Sequence, residues 1–198
     1  MARAGTERER LRLERRGALL TAGAALFARD GFAAVTTAQL GAAVGVSGPA
    51  VYRHFESKQA LLAELLVGVS RGLRDGGTAV QAAGGAPSAV LAGLVEFHVE
   101  FALSSADVIR VQDRDLSELA PDDRARVRRL QREYAELWVA TLGAVLPTVG
   151  EDERRLRVHA VFGLINSTPH SVRRASGVSP AALRTTLVTL ALAALTAV

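Results

Sequence analysis

Four side chains that bind anions and base edges lie close together in the first third of the chain, namely Tyr52, Arg53, His54 and Lys58. A phenol, a guanidinium, an imidazole and an ammonium group all donate hydrogen bonds. Their natural acceptors are phosphate oxygens and the acceptor atoms on the edges of bases. The chemistry that these residue types and this spacing favour is therefore contact with a nucleic acid.

A helix through this segment would have one packing face and one free face. At about 100° per residue, Val51 and Phe55 share a face. The opposite side carries Pro49, Ala50 and Arg53, with Tyr52 and His54 at its edges. The major groove of DNA admits a helix, and it offers acceptors to arginine and thymine methyl groups to small apolar side chains. The pattern predicts a short DNA-reading helix.

The elements around this helix are predicted from their capping residues. Thr36 and Gln39 have the capping-box spacing, so a helix should begin at Thr36 or Thr37 and end near Gly45. Ser47 should cap the reading helix, with Gly48 and Pro49 in its first turn. Ser57 should cap a third helix that carries Lys58, the only lysine of the chain, in its first turn. This order is a helix-turn-helix followed by a long connecting helix.

The segment resembles the DNA-binding domain of the TetR family of bacterial transcriptional repressors over roughly residues 10–66. The resemblance rests on these residues: Leu26-Phe27, Asp30-Gly31-Phe32, Thr36-Thr37, Leu40-Gly41, Val44-Gly45-Val46-Ser47, Val51-Tyr52-Arg53-His54-Phe55 and Ser57-Lys58. It implies phosphate contacts for Thr37, Tyr52, His54 and Lys58. It implies positions near base edges for Gln39, Gly48, Pro49, Ala50 and Arg53, with Ser47 at the start of the reading helix.

This chain departs from many relatives early in the reading helix, where they carry a polar or basic residue. Gly48, Pro49 and Ala50 offer few side-chain hydrogen bonds to bases. Sequence preference would then depend on thymine-methyl contact, close backbone approach and DNA shape.

Composition agrees with a DNA partner. The 198 residues carry 24 basic and 20 acidic side chains, a net charge of +4. Residues 1–60 hold nine basic and five acidic side chains, so the first third carries the whole excess. With no cysteine, the chain has no disulfide and no thiolate metal site. Because the N-terminus lacks the apolar stretch of a signal peptide, we expect a cytoplasmic protein.

The arginines near the N-terminus allow two interpretations. Arg3, Arg8, Arg10 and Arg12 could form an arm that contacts phosphates or the minor groove. Alternatively, Arg and Glu alternate along the solvated start of the first helix, with Thr6 and Glu9 as its capping box. We favour the second interpretation from Arg8 onward, and residues 1–5 as a disordered arm.

The sequence pattern predicts helices in the rest of the chain, so the predicted fold is all-α with about nine helices. A helix-turn-helix domain at residues 1–56 would precede a regulatory and dimerisation domain at residues 57–198. The connecting helix should run from Ser57 to about Asp75 or beyond, before the Gly76-Gly77 pair and a loop at residues 84–88. Further helices are expected over residues 88–103, 106–113, 121–146, 152–175 and 179–197.

The last two predicted helices favour a homodimer. Residues 158–165 are apolar on nearly every side, and residues 181–195 are rich in small and branched side chains. Such helices need cover on two sides, which a twofold-related copy would provide as a four-helix bundle. A dimer predicts a palindromic operator.

A small-molecule effector is the second expected partner, bound among the middle helices. The candidate lining residues are the aromatic and isolated polar ones, Phe97, His98, Phe101, Gln112, Tyr134, Trp138, Phe162, Asn166 and His170. The alternatives are that the phenylalanines are plain core, that Trp138 lies at the dimer interface, and that either histidine is a satisfied or exposed side chain. Buried Asn166 needs a partner, which could be a ligand, a carbonyl near Pro169 or the other subunit.

Few charges fall on inward faces, so an apolar or amphipathic effector is expected. Residues 112–115 and 162–170 also resemble TetR relatives linked to lipid or acyl-thioester metabolism. No phosphate loop, metal-ligand spacing or nucleophilic cysteine favours an enzyme, a cofactor or a metal site. Three hypotheses remain: a ligand-responsive dimeric repressor, a DNA-binding regulator without an effector, and a helical ligand-binding protein that no longer reads DNA.

Overall fold

The computed structural model describes residues 2–168 and 177–197. All regular structure in these residues is helical, and none of them lies in a strand, which confirms the all-α prediction. The elements are α1 (Ala2–Asp30), α2 (Thr37–Ala43), α3 (Gly48–Val51), α4 (Lys58–Ala82), α5 (Pro87–Ser104), α6 (Ala106–Asp115), a 3₁₀ helix (Leu116–Glu118), α7 (Pro121–Val145), α8 (Glu151–Asn166) and α9 (Pro180–Thr196).

The chain forms two compact units. The first contains Met1–Gly68 and Arg110–Arg126, and the second contains Val69–Ile109 and Val127–Val198. The predicted domain boundary after residue 56 stays a prediction. In the first unit, α1, α2, α3 and the start of α4 enclose a core that includes Leu19, Phe27, Leu40, Val51, Phe55 and Leu61.

The second unit has its own apolar core. The helices α5, α7, α8 and α9 contribute to it, and its largest fully buried side chains include Leu91, Leu94, Trp138, Leu142, Ile165 and Leu195. Helix α9 packs against both α5 and α8. This unit is the helical C-terminal domain that the sequence predicts.

The connecting helix extends beyond Asp75, because α4 passes the Gly76-Gly77 pair and continues to Ala82. A Cβ atom on Gly76 would lie 2.2 Å from the Phe97 ring, and one on Gly77 would lie 2.6 Å from the Tyr134 ring. The two glycines let aromatic rings lie directly on the backbone of α4. This packing stabilises a helical conformation that glycine alone disfavours.

The first and eighth helices also differ from prediction. Helix α1 begins at Ala2, upstream of the predicted capping box. Alanine is the best helix former, and Arg10 pairs with Glu7 and Glu14 at helical spacing. Residues 169–175 of the predicted eighth helix lie outside the described residues, and α8 ends at Asn166. There the hydroxyl of Ser167 donates to the carbonyl of Leu164.

In the described part of the chain, no single helix is long and apolar enough to cross a membrane. One bent pair, Pro87–Ser104 with Ala106–Glu118, passes the same test by length and composition only.

Candidate nucleic-acid interface

The start and the end of α2 are fixed by the predicted caps. The N–H of Gln39 donates to Oγ1 of Thr36 over 3.2 Å, and Oε1 of Gln39 accepts the N–H of Thr36 over 2.8 Å. At the other end, Gly45 has a φ of +71°, and the N–H of Val46 returns to the carbonyl of Gly41. This left-handed residue turns the chain towards α3. The side-chain amide oxygen of Gln39 is therefore engaged in the cap.

Two glycines allow α2 and α3 to approach closely. A Cβ atom on Gly41 would lie 2.7 Å from the carbonyl oxygen of Val46, and one on Gly48 would lie 3.1 Å from Cα of Ala38. A side chain at Gly41 would collide with the turn at Val46 and Ser47, and one at Gly48 would fit only if the backbone at Ala38 shifted. Because the Cα of Gly48 faces α2, only its backbone remains for the predicted contact with base edges.

Helix α3 is short and is followed by a helical turn that carries the remaining polar residues. Ser47 occupies the N-cap position, and proline follows in the first turn, as predicted. The predicted side-chain cap is wrong, since the hydroxyl of Ser47 makes no capping hydrogen bond. The N–H groups of Arg53 and His54 bond to the carbonyls of Ala50 and Val51. These bonds continue the helical course to Phe55.

This segment has one buried face and one exposed face, as the sequence predicts. Val51 and Phe55 are buried in the core of the first unit. Tyr52 is 54% exposed, although tyrosine usually buries most of its ring. The other predicted contact residues divide into two groups: Gln39, Ser47, Pro49 and Arg53 are exposed, and Thr37, Gly48, Ala50, His54 and Lys58 are partly exposed. All ten belong to the first unit.

Arginines of α1 surround His54. Arg16 donates to the carbonyl of His54 and pairs with Glu64, and its guanidinium carbon lies 4.3 Å from the centre of the Phe55 ring. Burial lowers the pKa of His54, and the nearby charges of Arg12, Arg16, Arg15 and Arg53 lower it further. The imidazole is held in a positive environment and favours its neutral form.

Lys58 is partly exposed, and its ammonium group is bonded within the protein. Its ammonium group donates to the carbonyls of Phe32, Ala33 and Val35 over 2.6, 3.3 and 2.7 Å. It thereby ties the first turn of α4 to the loop between α1 and α2. The phosphate contact of Lys58 stays a prediction, and its bonds to this loop were not foreseen from the sequence.

Arg114 is another structural residue that sequence reasoning missed. Its guanidinium donates to the carbonyl of Phe27 at the end of α1, and it also pairs with buried Asp115. Nearby, the amide of Gln59 donates to the carbonyl of Glu118 over 2.6 Å. These contacts lie wholly within the first unit, where they hold residues 110–118 against α1 and α4. A long-range side-chain bond to a backbone carbonyl leaves no sequence signal.

The second unit brings most of the predicted effector residues together around His98. The rings of Tyr134, Trp138, Phe162 and Phe101 have centres between 4.8 and 5.9 Å from that of His98. We call these five residues the aromatic cluster. Phe97 packs on Gly76, and Gln112 belongs to the first unit. His170 lies outside the described residues.

Buried His98 is a satisfied histidine, one of the alternatives that the sequence left open. Its Nε2 lies 3.2 Å from Oδ1 of Asn166, and its Nδ1 lies 3.3 Å from the hydroxyl of Tyr134. Asn166 thus has a partner in His98, which its sequence position did not suggest. Burial lowers the pKa of His98 to about 4 and raises that of Tyr134. Trp138 is fully buried within the unit, which disfavours the alternative that it lies at a dimer interface.

Two family models match the chain. Residues 19–65 match bacterial regulatory proteins of the tetR family, and residues 84–195 match the tetracyclin repressor-like C-terminal domain. The first match contains α2, α3 and the start of α4, and the second contains the aromatic cluster. Together the two models span most of the chain.

Individual proteins agree with these models. The transcriptional repressor KstR2 of Rhodococcus jostii is 30% identical over 131 residues, which are 66% of this chain and 64% of that protein. The chain thus spans just under two thirds of this relative's length. A TetR-family regulator from Bordetella parapertussis is 26% identical, with a TM-score of 0.79 over 89% of this chain and 93% of its own.

The ketosteroid transcriptional regulator KstR2 of Mycobacterium tuberculosis shares the fold, with a TM-score of 0.73 at 22% identity over 90% of this chain and 93% of its own. The TetR family consists of transcriptional regulators rather than enzymes. By its two family models, the chain belongs to the TetR family of bacterial regulatory proteins.

Proposed function

We propose that the protein is a DNA-binding transcriptional repressor that reads a palindromic operator as a homodimer and releases it when an effector binds. The observation that carries this proposal is the close packing of α2 and α3 at Gly41 and Gly48, which presents an exposed polar face. A packed helix pair with an outward face of this kind fits the major groove.

On this proposal, some of the exposed residues contact phosphates and others lie near base edges. Tyr52, Thr37 and His54 contact phosphates, which set the register of the protein on DNA. Arg53, Pro49 and Ala50 lie nearest the base edges, with Gln39, Ser47 and the backbone of Gly48 beside them. Arg53 is the side chain of this set best suited to guanine. Lys58 belongs to the same set, and the geometry favours a positioning role for it.

An exposed stripe on α8 and α9 supports the dimer. On α8, Leu156 is 68% exposed, and Ala160 and Gly163 continue its face at helical spacing. On α9, Leu190 is 50% exposed, with exposed Thr186 and Ala193 on the same side. The two helices pack against each other. A twofold partner would bury these apolar and small residues.

The aromatic cluster supports an effector that is apolar with one polar group. Its apolar rings would surround a hydrophobic body, and the bonded pair of His98 and Asn166 would receive a hydroxyl or carbonyl group. In the described part of the chain, buried Nε1 of Trp138 has no hydrogen-bond partner. The names of similar proteins, a ketosteroid regulator and a fatty acid degradation regulator from Bacillus halodurans, favour lipid-like compounds.

A regulator without an effector is the alternative, and the tight packing of the cluster favours it. The rings of Tyr134 and Phe162 are parallel with centres 5.6 Å apart, and Trp138 meets both edge-on. Side chains that already fill the core would leave no space for a ligand. A thermal-shift screen with steroids, fatty acids and acyl thioesters distinguishes a regulator with an effector from one without. A ligand present at 100 times its dissociation constant raises the free energy of unfolding by roughly 2.7 kcal/mol.

In vitro selection tests the proposal as a whole. Duplexes bound from random and genomic DNA at physiological salt are sequenced. Enrichment of one palindrome supports a dimeric reader, and the genomic neighbours of the site nominate the effector's pathway. Binding without enrichment would overturn the repressor proposal.

A further inference from the structure

Hydrogen bonds connect α7 to α8 through the aromatic cluster. The hydroxyl of Tyr134 lies 3.3 Å from Nδ1 of His98, and Nε2 of His98 lies 3.2 Å from Oδ1 of Asn166. His98 is buried, and its pKa is lowered to about 4, so its ring is neutral near pH 7. A neutral imidazole has one N–H group and one acceptor nitrogen. His98 therefore donates one of these two bonds and accepts the other.

Tyr134 determines which nitrogen of His98 carries the hydrogen. The buried hydroxyl of Tyr134 needs an acceptor, and its other polar neighbour, Trp138, has only an N–H donor. Nδ1 of His98 then accepts from Tyr134, so Nε2 carries the hydrogen and donates to Oδ1 of Asn166. The opposite assignment would leave the hydrogen of a buried hydroxyl without an acceptor, which is costly.

This direction of the hydrogen bonds leaves the amide nitrogen of Asn166 unused. Oδ1 accepts from His98, and among the described residues the side chain of Asn166 bonds only to His98. Asn166 is the last residue of α8 and is partly exposed. Its amide therefore lies at the edge of the aromatic cluster rather than in the filled interior, and it presents a hydrogen-bond donor there.

A second donor follows at the same end of α8. Thr168 is 1% exposed, and its Oγ1 has no hydrogen-bond partner among the described residues. The rings of Phe101, Trp138 and Phe162, which lie around His98, carry no charge. Donors beside an uncharged apolar surface suit an oxygen that accepts hydrogen bonds and has no net charge. A carboxylate would lose its hydration there without gaining a positive partner.

We propose that Asn166 is the hydrogen-bond donor of a binding site for a neutral carbonyl group at the edge of the aromatic cluster. The oxygen of a ketone, ester or thioester accepts from Nδ2 of Asn166, while the apolar part of the compound contacts the rings. An alcohol binds more weakly, because the acceptor beside its O–H group, Oδ1 of Asn166, is already used by His98. This inference rests on the proposed function only in making the carbonyl compound the effector.

The first arm of the test locates the hydrogen on His98 by NMR, in the protein without DNA or ligand. Ring nitrogen signals distinguish the two neutral forms of an imidazole, and we expect Nε2 to be protonated and Nδ1 to be bare. Exposed His159 is the control, because solvent lets its two neutral forms exchange. A hydrogen on Nδ1 of His98 would reverse the hydrogen bonds and overturn the proposal.

The second arm titrates acetone, isopropanol and acetate into the same protein and follows the side-chain amide signal of Asn166. The three probes are similar in size and differ in their polar group. Acetone should shift the signal saturably, isopropanol should bind about fivefold more weakly, and acetate should give no saturation. No response to acetone, or equal affinity for either of the other probes, would overturn the carbonyl site.

Two variants test whether the amide itself binds the probe. Asn166→Asp keeps an oxygen that accepts from His98 and removes the donor, so acetone should no longer shift the ring signals of His98 at pH 7.5. Ser167→Ala is the matched control at the next residue, where the hydroxyl bonds to the carbonyl of Leu164, and it should keep the response. A response that survives in Asn166→Asp would overturn the role of Asn166.

Neither arm involves DNA, so its result is independent of the operator proposal. A saturable acetone response that requires Asn166 would support the carbonyl site even if the chain selected no duplex. Conversely, a selected palindrome with no acetone response would support the repressor and overturn this site.

Discussion

The ammonium Nζ of Lys58 lies 2.6 Å from the carbonyl oxygen of Phe32 and 4.4 Å from the centre of the same residue's ring. Two further carbonyls, of Ala33 and Val35, accept from the same group. All three ammonium hydrogens are therefore used within the protein. The geometry makes Lys58 a link between α4 and the loop that leads into α2.

Replacing Lys58 tests this role. Lys58→Met should lower the free energy of unfolding by about 1–3 kcal/mol, because partly buried carbonyls lose their donor. Affinity for the operator should fall, while its salt slope stays at the wild-type value. Arg53→Met is the control, since it removes an exposed charge and should change stability by less than about 0.5 kcal/mol. Urea unfolding and salt titrations measure both quantities. Unchanged stability with a flatter slope would instead assign Lys58 to a phosphate.

Gly76 should resist enlargement although it lies inside a helix. In Gly76→Ala, the new methyl group would meet the Phe97 ring at 2.2 Å, and overpacking of this kind costs about 1–3 kcal/mol. Gly72→Ala is the matched control on the same helix, because nothing lies within 4 Å of its added Cβ. The free energy of unfolding of that variant should rise by up to about 1 kcal/mol, because alanine has a higher helix propensity than glycine. Equal thermal stability of the two variants would contradict the described packing.

His98 should make the stability of the protein depend on pH. Its pKa rises from about 4 in the folded chain to the ordinary value of 6.5 on unfolding. The unfolded chain therefore binds more protons between these values, and stability falls as the pH drops from 6.5 to 4. Over this pH range the free energy of unfolding falls by about 3 kcal/mol in total.

His98→Gln should remove this part of the pH dependence, measured by urea unfolding at intervals from pH 7.5 to 4. The exposed His159 gives the control, because His159→Gln should keep the wild-type profile. The pKa of His54 is also lowered, so both variants retain some loss of stability in acid. Identical profiles for the two variants would mean that His98 is not held neutral by burial.

The exposed stripe of α8 makes a prediction about assembly. Leu156→Arg should convert the proposed dimer into a monomer at micromolar concentration, because a twofold axis brings the new charge into the interface twice. Leu13→Arg alters an exposed leucine of α1, 60% accessible, and should leave assembly unchanged. Sedimentation equilibrium distinguishes the two states. A Leu156→Arg variant with the wild-type mass would place the interface elsewhere.

The helix-turn-helix could be predicted because its signals are local. The capping box of Thr36 and Gln39, the left-handed Gly45 and the apolar spacing of Val51 and Phe55 all act within a few residues. Local interactions of this kind can be predicted from a single sequence. The same periodicity predicted the outward residues at positions 49–54, and the resemblance to the TetR family implied the other DNA contacts.

Long-range contacts could not be predicted in the same way. Gly76 and Gly77 normally indicate a break, and only the rings of Phe97 and Tyr134 explain why α4 continues. The partners of Lys58 and His98 lie 26 and 68 residues away in the sequence. Such pairs depend on the tertiary fold, so residue type and spacing do not reveal them.

The measurement that tests the central claim most directly is parallel selection of DNA duplexes by the wild type and by Arg53→Gln. If the outward face of α3 reads bases, the wild type enriches one palindrome. The variant should then enrich a palindrome altered at one position in each half-site, since glutamine prefers adenine where arginine prefers guanine. An identical motif for both proteins, or no motif for the wild type, would contradict the claim that this face reads DNA.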